Sequence, residues 1–232
     1  MIATLAFFLL AAAAIPHHAD AQVIPLPNRN VGSYFIGNAQ STIQVEIIVD
    51  PFCSDCHEEY LMWKGLKAQL TPDDNDVGVQ FIISAEPFHP WSFTAAIGWM
   101  TCRQHNASAL WPFAEAMWDN YKEFGLGDWG SPNYTPENLT EALVIDKMAG
   151  FAAANAGVPR TVFYHGMTNR SVAGAIVNPW AVARESWKVA VTRGAASVPW
   201  YFVNGVPFYV ASNGGHLGAA AWTALLNKLL AA

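Results

Sequence analysis

Two of the chain's three cysteines stand two residues apart in "VDPFCSDCHEEY", residues 49–60. Thiols at the spacing of Cys53 and Cys56 can close a small strained ring that opens again easily, which a redox couple requires. Other chemistries fit the bare motif. A structural staple is one, although a bridge over two residues removes little chain entropy. A metal site is another, but it needs two further ligands. His57 is adjacent, Cys102 is distant, and no second C-x-x-C exists. Two buried thiols paired by chance are the third.

The elements that must position the motif separate these readings. In "TIQVEIIVD", Ile43, Val45, Ile47 and Val49 fall on one face, as in a strand. Ile48 on the other face implies a central strand covered on both sides. A helix follows at once, with Met62, Trp63, Leu66 and Leu70 along its apolar seam. Cys53 thus lies at a helix N-terminus, where unpaired N–H groups and the helix dipole favour a thiolate, the reactive form. Cys56, one turn in, is shielded and can displace whatever Cys53 has captured. Asp55 sets a negative charge beside Cys53 and opposes the thiolate, and a protonated His57 would offset it. Asp50 is either a buried proton relay for Cys56 or an exposed strand end, the second being the simpler reading. Glu58 and Glu59 are expected to face solvent.

Further along, "VGVQFIIS" (77–84) reads as a second strand, so the first three elements form a right-handed, parallel βαβ unit. The middle is helical. Phe93, Ala96, Ile97 and Met100 share one face of a segment near 91–104, with Trp99 and Cys102 on another. Leu110, Phe113, Ala114, Met117, Trp118 and Tyr121 keep helical spacing. A further helix is expected from an N-cap at Thr135 and Pro136, through Leu139, Ala142 and Leu143, to a stop at Gly150. Residues 151–176 read as partly helical. In "NPWAVARESWKVAVTRGA", Asn178 caps a helix with Pro179 at its first position and Gly194 at its end. Trp180, Ala183, Trp187, Ala190 and Val191 are its expected buried stripe. "VPWYFVNGVPFYV" reads as a hairpin turning at Asn204-Gly205. A last helix, from about Leu217 to Leu230, carries Leu217, Ala221, Ala224, Leu225 and Leu229 on one face. The order is β-α-β, a run of helices, then α-β-β-α, which is an α/β frame interrupted by helices.

Three pieces, "VDPFCSDC", "FHPWSFTAA" and "SVPWYFVNG", resemble the DsbA-like branch of the thioredoxin superfamily, thiol-disulfide oxidoreductases with an inserted helical domain. With the element order, the resemblance spans most of residues 43–230. It implies a thioredoxin-like α/β fold with a central mixed sheet, divided as 22–90, a helical insertion over 91–176, and 177–232. It implies Cys53 as nucleophile, Cys56 as resolving thiol, and Pro199 as a cis-proline facing them. Val198 would lend backbone groups to a bound peptide, with Trp200 beside it. Trp91, Trp200 and Tyr201 could line a groove there. Proline opening a strand at an edge or bulge, and cis bonds being nearly confined to X-Pro, fit the same placement. Relatives of the strongly oxidising kind carry a His between the cysteines. Here Ser54 and Asp55 intervene, so a less oxidising couple is expected.

The implied activity is dithiol-disulfide exchange on protein or peptide thiols, with no dissociable cofactor, no metal and an unidentified redox partner. Oxidase, reductase and isomerase share that chemistry. A redox-silent peptide-binding module on the same fold is the alternative.

The bulk numbers agree with this reading. The chain has 232 residues, 53% hydrophobic and 13% charged, with a net charge of −6. That suits one domain with an insertion. No Lys/Arg cluster offers a footprint for nucleic acid. "MIATLAFFLLAAAAIPHHADAQ" has the shape of a secretory signal peptide (1–21), cleaved after Ala21, and its apolar run is short for a bilayer span. No membrane contact beyond that segment is expected. Sequons at Asn106, Asn133, Asn138 and Asn169 agree with export to a secretory lumen, the cell exterior or a periplasm, where disulfides persist. Their grouping suggests a surface-rich region.

Overall fold

The computed structural model describes residues 31–68, 76–124, 139–169, 178–208 and 217–231. The expectations for the leader, Leu70, Asn133, Thr135, Pro136 and Asn138 lie outside the described residues. In chain order the elements are β1 (Ser33–Ile36), β2 (Ile43–Val49), α1 (Ser54–Lys67), β3 (Val77–Ile83), α2 (Ser92–His105), α3 (Leu110–Asp119), α4 (Glu141–Ala156), α5 (Arg160–Thr168), α6 (Pro179–Thr192), β4 (Trp200–Val203), β5 (Val206–Phe208) and α7 (Ala219–Leu230). Short 3-10 turns at Ala107–Ala109 and Tyr121–Phe124 flank α3.

The strands form one mixed sheet in the order β1-β3-β2-β4-β5. β2 is central, parallel to β3 and antiparallel to β4. β1 and β5 add antiparallel edges. The alternation of β2 assigns its two faces. Val45, Ile47 and Val49 join the main core with Tyr60 and Trp63 of α1 and Trp222 of α7. Ile48 packs with Ile82, Phe202, Val189 and Ala190 in a smaller core under α6. On that second face Glu46 accepts from both terminal nitrogens of Arg193, at 2.7 and 2.6 Å. The guanidinium lies over Phe202, 3.6 Å from the ring centroid.

α2 packs against α3, α4, α5 and α6. The contact between α1 and α3 is aromatic and ionic. Tyr60 stacks on Trp111 with centroids 5.6 Å apart, and its hydroxyl donates to Glu115. Lys64 reaches the same carboxylate at 2.6 Å.

Several local expectations need correction. Ser33–Ile36 forms β1, an edge strand absent from the expected element order. α4 starts later than expected, with Thr140 accepting from the Leu143 amide as its cap. It runs through Gly150 and stops at Gly157, whose left-handed φ of 67° suits glycine. Its buried residues are Val144, Met148, Ala149 and Ala152, whereas Leu143 is exposed. In α6 the Asn178 cap and Pro179 stand as expected, with Ala181 N donating to Asn178 Oδ1 at 2.7 Å. Ala183 and Ala190 of the expected stripe are buried, but the rest of it differs. Ser186 and Val189 are buried, while Trp187 and Val191 are exposed. In α7 the buried residues are Trp222 and Leu226, and Ala221 and Ala224 face solvent. Small alanines and amphipathic tryptophans tolerate either side, so they are weak guides to helix phase.

Candidate active site

β2 ends at Val49 and α1 begins at Ser54, leaving four residues to turn the chain. Asp50 organises that turn. Its Oδ1 accepts from Phe52 N at 2.6 Å, a side chain bonding its own backbone two residues on. Cys53 N donates to Asp50 O at 3.3 Å. Cys53 then takes the N-cap position of α1, with extended backbone, and its carbonyl accepts from His57 N. The sulfur therefore sits where the helix presents unpaired N–H groups, as the sequence reading required.

Cys53 is 6% exposed and Cys56 is fully buried. Both are free thiols. The Cys56 sulfur accepts from Asp50 N at 3.4 Å. Burial pushes the Cys56 thiol well up, and its hydrogen bond and charge contact with Cys53 add to this. The Asp50 amide works the other way, and the Asp50 charge raises it again.

The opposite wall comes from the far end of the chain. The Val198-Pro199 peptide bond is cis. The Cys53 thiol points at Val198 O, 3.9 Å away. Pro199 is buried, and Val198 and Trp200 are half-buried beside it. Register explains the meeting, because Ile48 of β2 pairs with Trp200 of β4, and both strands continue from that rung toward the site. The structure thus brings together Cys53, Cys56, Asp50, Val198, Pro199 and Trp200.

Asp50 is not an exposed strand end. It is fully buried and gathers three segments. Besides Phe52 N, its carboxylate accepts from Glu86 N at 2.6 Å and from Ser92 Oγ at 2.5 Å. His89 Nδ1 lies 3.1 Å from Oδ1. His89 stands in a buried turn that packs against Asp50. The clue in the sequence was the "FHPWS" piece after β3, whose polar residues needed a buried partner.

Two of the expected tuning residues, Asp55 and His57, differ in placement. Asp55 accepts from Ser54 Oγ at 3.2 Å in the first turn of α1. His57 leaves the cysteines and stacks on Trp118 of α3, with centroids 5.2 Å apart. Burial holds its imidazole below the usual range, against the pull of Asp119, Glu58 and Glu115. Cys102 is buried within α2, and burial pushes its thiol up. Glu58 is exposed as expected, but Glu59 is only 1% exposed and accepts from Trp63 Nε1 at 2.8 Å. Among the described residues, no group of three or more His, Cys, Asp or Glu side chains is arranged to hold a metal ion. Nor is any described helix long and apolar enough to cross a membrane.

The parallel β2–β3 pair joined by α1, the antiparallel β4–β5 hairpin, α7, and the helices between β3 and α6 define a thioredoxin-like α/β fold with a helical insertion. Solved structures with this architecture are similar to the chain. BdbD from Bacillus subtilis in its oxidised form superposes with a TM-score of 0.63 at 13% identity, covering 87% of this chain and 94% of BdbD. A periplasmic thioredoxin-like protein from Salmonella enterica serovar Typhimurium gives 0.56 at 14% identity, over 89% of this chain and 94% of its own. MdbA, a thiol-disulfide oxidoreductase from Actinomyces oris, gives 0.55 at 14% identity, over 81% of each chain. At these identities the likeness establishes the fold. No family profile matches the sequence, and no curated protein matches it.

Proposed function

We propose that the chain is a dithiol-disulfide oxidoreductase acting on protein or peptide thiols. One observation carries this: the Cys53 sulfur, at the N-terminus of α1, has Cys56 behind it and the carbonyl of a cis Val198-Pro199 bond before it. Cys53 attacks a substrate sulfur and forms a mixed disulfide. Cys56 then attacks Cys53 and releases the substrate as a thiol, or the same steps run in reverse. Val198 and Pro199 hold the substrate's backbone beside the sulfur, with Trp200 flanking it. No dissociable cofactor takes part, and a separate redox partner restores the pair. Asp50 sets the position of both cysteines, and the Asp55 charge makes the couple less oxidising than a His-containing site.

The same reading treats residues 1–21 as a cleaved signal and places the protein in an exported compartment. It takes 91–176 as the inserted domain, supported by the mutual packing of α2 to α5. Asn106 is exposed and its Oδ1 accepts from Ser108 N, so its sequon is open to glycosylation in a host that performs it.

Insulin reduction and dithiol oxidation assays test the proposal. Turnover is expected in at least one direction, and Cys53→Ser should abolish it, a fall of at least about 1,000-fold. A reduced protein with no turnover in either assay fits a binding module instead.

A further inference from the structure

The sheet order β3-β2-β4 sets the Cys53 turn between two neighbours. On the β4 side stands the Val198-Pro199 wall. On the β3 side the chain leaves the sheet at the same edge as β2, because the two strands are parallel. Val49 and Ile83 share their last rung, and Ser84 N donates to Val49 O at 2.8 Å just beyond it. Cys53 follows that rung by four residues and Phe88 by five. Neighbouring strands lie about 4.8 Å apart. The two turns therefore leave side by side at the carboxyl ends of their strands, where open α/β sheets take their ligands.

The β3 turn is stiff. Pro87 and Pro90 each fix a backbone angle. His89 N donates to Glu86 O at 3.2 Å, and Ser92 N donates to His89 O at 3.0 Å. Asp50 ties this turn to the cysteine turn, since its carboxylate accepts from Glu86 N and Ser92 Oγ as well as from Phe52 N. His89 is buried against that carboxylate. The Phe88 ring meets the His89 ring edge-on, with centroids 4.7 Å apart. Yet Phe88 is 66% exposed, the most of any large hydrophobic side chain among the described residues, and Pro87 and Pro90 are exposed beside it. Single exposed apolar side chains are common, so exposure alone decides nothing. Position decides here. An aromatic ring on a braced turn loses little freedom when a partner covers it, and such rings serve as anchors at interfaces.

We propose that Phe88 is a specificity-determining residue, which takes a bulky apolar side chain next to the cysteine of a client peptide. The proposal rests on the thiol-disulfide reading given above and names its substrate class. With the client sulfur on Cys53 and the client backbone on the Val198-Pro199 wall, a side chain next to the client cysteine is brought toward the β3 turn. Contact there removes the Phe88 ring from water and packs it against an aliphatic or aromatic partner. Phe88 moves no proton or electron. The exchange at sulfur is the same for every client, and the choice among clients depends on this ring. The clients so favoured are unfolded or extended segments, because a folded protein keeps such side chains in its core.

The test isolates the exchange at Cys53. The full chain carrying Cys56→Ser is converted by 5,5′-dithiobis(2-nitrobenzoate) to the mixed disulfide of Cys53 with thionitrobenzoate, and the buried Cys102 stays out of reach. A reduced peptide is then added. Its thiolate attacks Cys53 Sγ, and thionitrobenzoate leaves as the coloured thiolate. Two peptides are compared that differ only in the residues flanking their single cysteine, phenylalanine in one and serine in the other. Each rate is divided by that of the same peptide with free 5,5′-dithiobis(2-nitrobenzoate). The phenylalanine peptide is expected to be favoured roughly fivefold or more. Adding Phe88→Ser should bring that ratio to about one, and Phe88→Leu should keep a large part of it. An unchanged ratio in Phe88→Ser overturns the proposal, as does a ratio near one before Phe88 is replaced. Equal slowing of both peptides in Phe88→Ser overturns it too, since that is the mark of a merely structural role. A folded chain whose Cys53 forms no thionitrobenzoate adduct overturns the parent oxidoreductase reading instead.

Discussion

The two faces of the sheet are built on opposite plans. The α1–α7 face is broad and aromatic. Trp63 meets Trp222 with centroids 4.9 Å apart, and Tyr60 lies against Phe35, Trp111 and Trp118. The α6 face is a small aliphatic cluster closed by the Glu46–Arg193 pair over Phe202. The reactive sulfurs belong to the first face. A dithiol site needs a rigid, dry floor, and large rings supply contact area at low entropic cost. The second face has less apolar surface to bury and uses a bidentate ion pair to fix α6 on β2. Damage to the first face should therefore reach the chemistry, and damage to the second should reach only stability.

The largest effect is expected for Trp63→Ala. It opens a cavity against Trp222 and removes the indole donor to Glu59. Denaturant unfolding should show a loss of roughly 3–5 kcal/mol, with slower turnover in the insulin reduction or dithiol oxidation assay. A stability loss with unchanged rates would break the contrast between the faces.

Next comes Glu46→Gln, which leaves the buried Arg193 guanidinium without its counter-charge. A loss of about 3 kcal/mol is expected, with turnover of thiols and disulfides unchanged. The double replacement Glu46→Leu with Arg193→Met should recover most of that, to within about 1 kcal/mol of the wild type, because a paired buried charge gains little over good packing. Altered turnover in either variant would show that the α6 face also serves the site.

The smallest effect concerns His57 at the border of the aromatic face. Its folded value is lowered by burial, so as pH falls the unfolded chain takes up the proton first. The stability it contributes is complete above its unfolded value, near 6.5, and is lost as pH falls through the lower folded value. Urea midpoints should therefore fall more in the wild type than in His57→Asn on acidification from about pH 8 to about pH 5.5. Parallel profiles would remove His57 from this account.

Features with strong local chemistry were legible in the sequence. Asn178 and Pro179 start α6, and Gly194 ends it with a φ of 80°. Asn204-Gly205 turns the hairpin with φ values of 49° and 78°. The C-x-x-C pair stands between a strand and a helix where expected. Features decided by distant partners were not legible. Glu59 reads as a surface residue until the Trp63 indole donates to it in the core. Asp50 reads as a strand end until Glu86 and Ser92 arrive from beyond β3. Gly150 reads as a helix stop, yet it is helical and lies under Arg160, whose Nη1 would be 3.2 Å from an added Cβ. β1 has four residues and pairs only along β3, too short to announce itself by alternation.

The β2–β4 ladder has one more consequence. Asn204 N donates to Gln44 O at 2.8 Å, and Gln44 N donates to Asn204 Oδ1 at 2.7 Å, which latches the far end of that ladder. The gap between attacking sulfur and facing carbonyl is thus gauged along two adjoining strands, although about 145 positions of chain separate them. The intervening helices do not transmit that dimension. Changes in their lengths and loops would leave the gauge as it is.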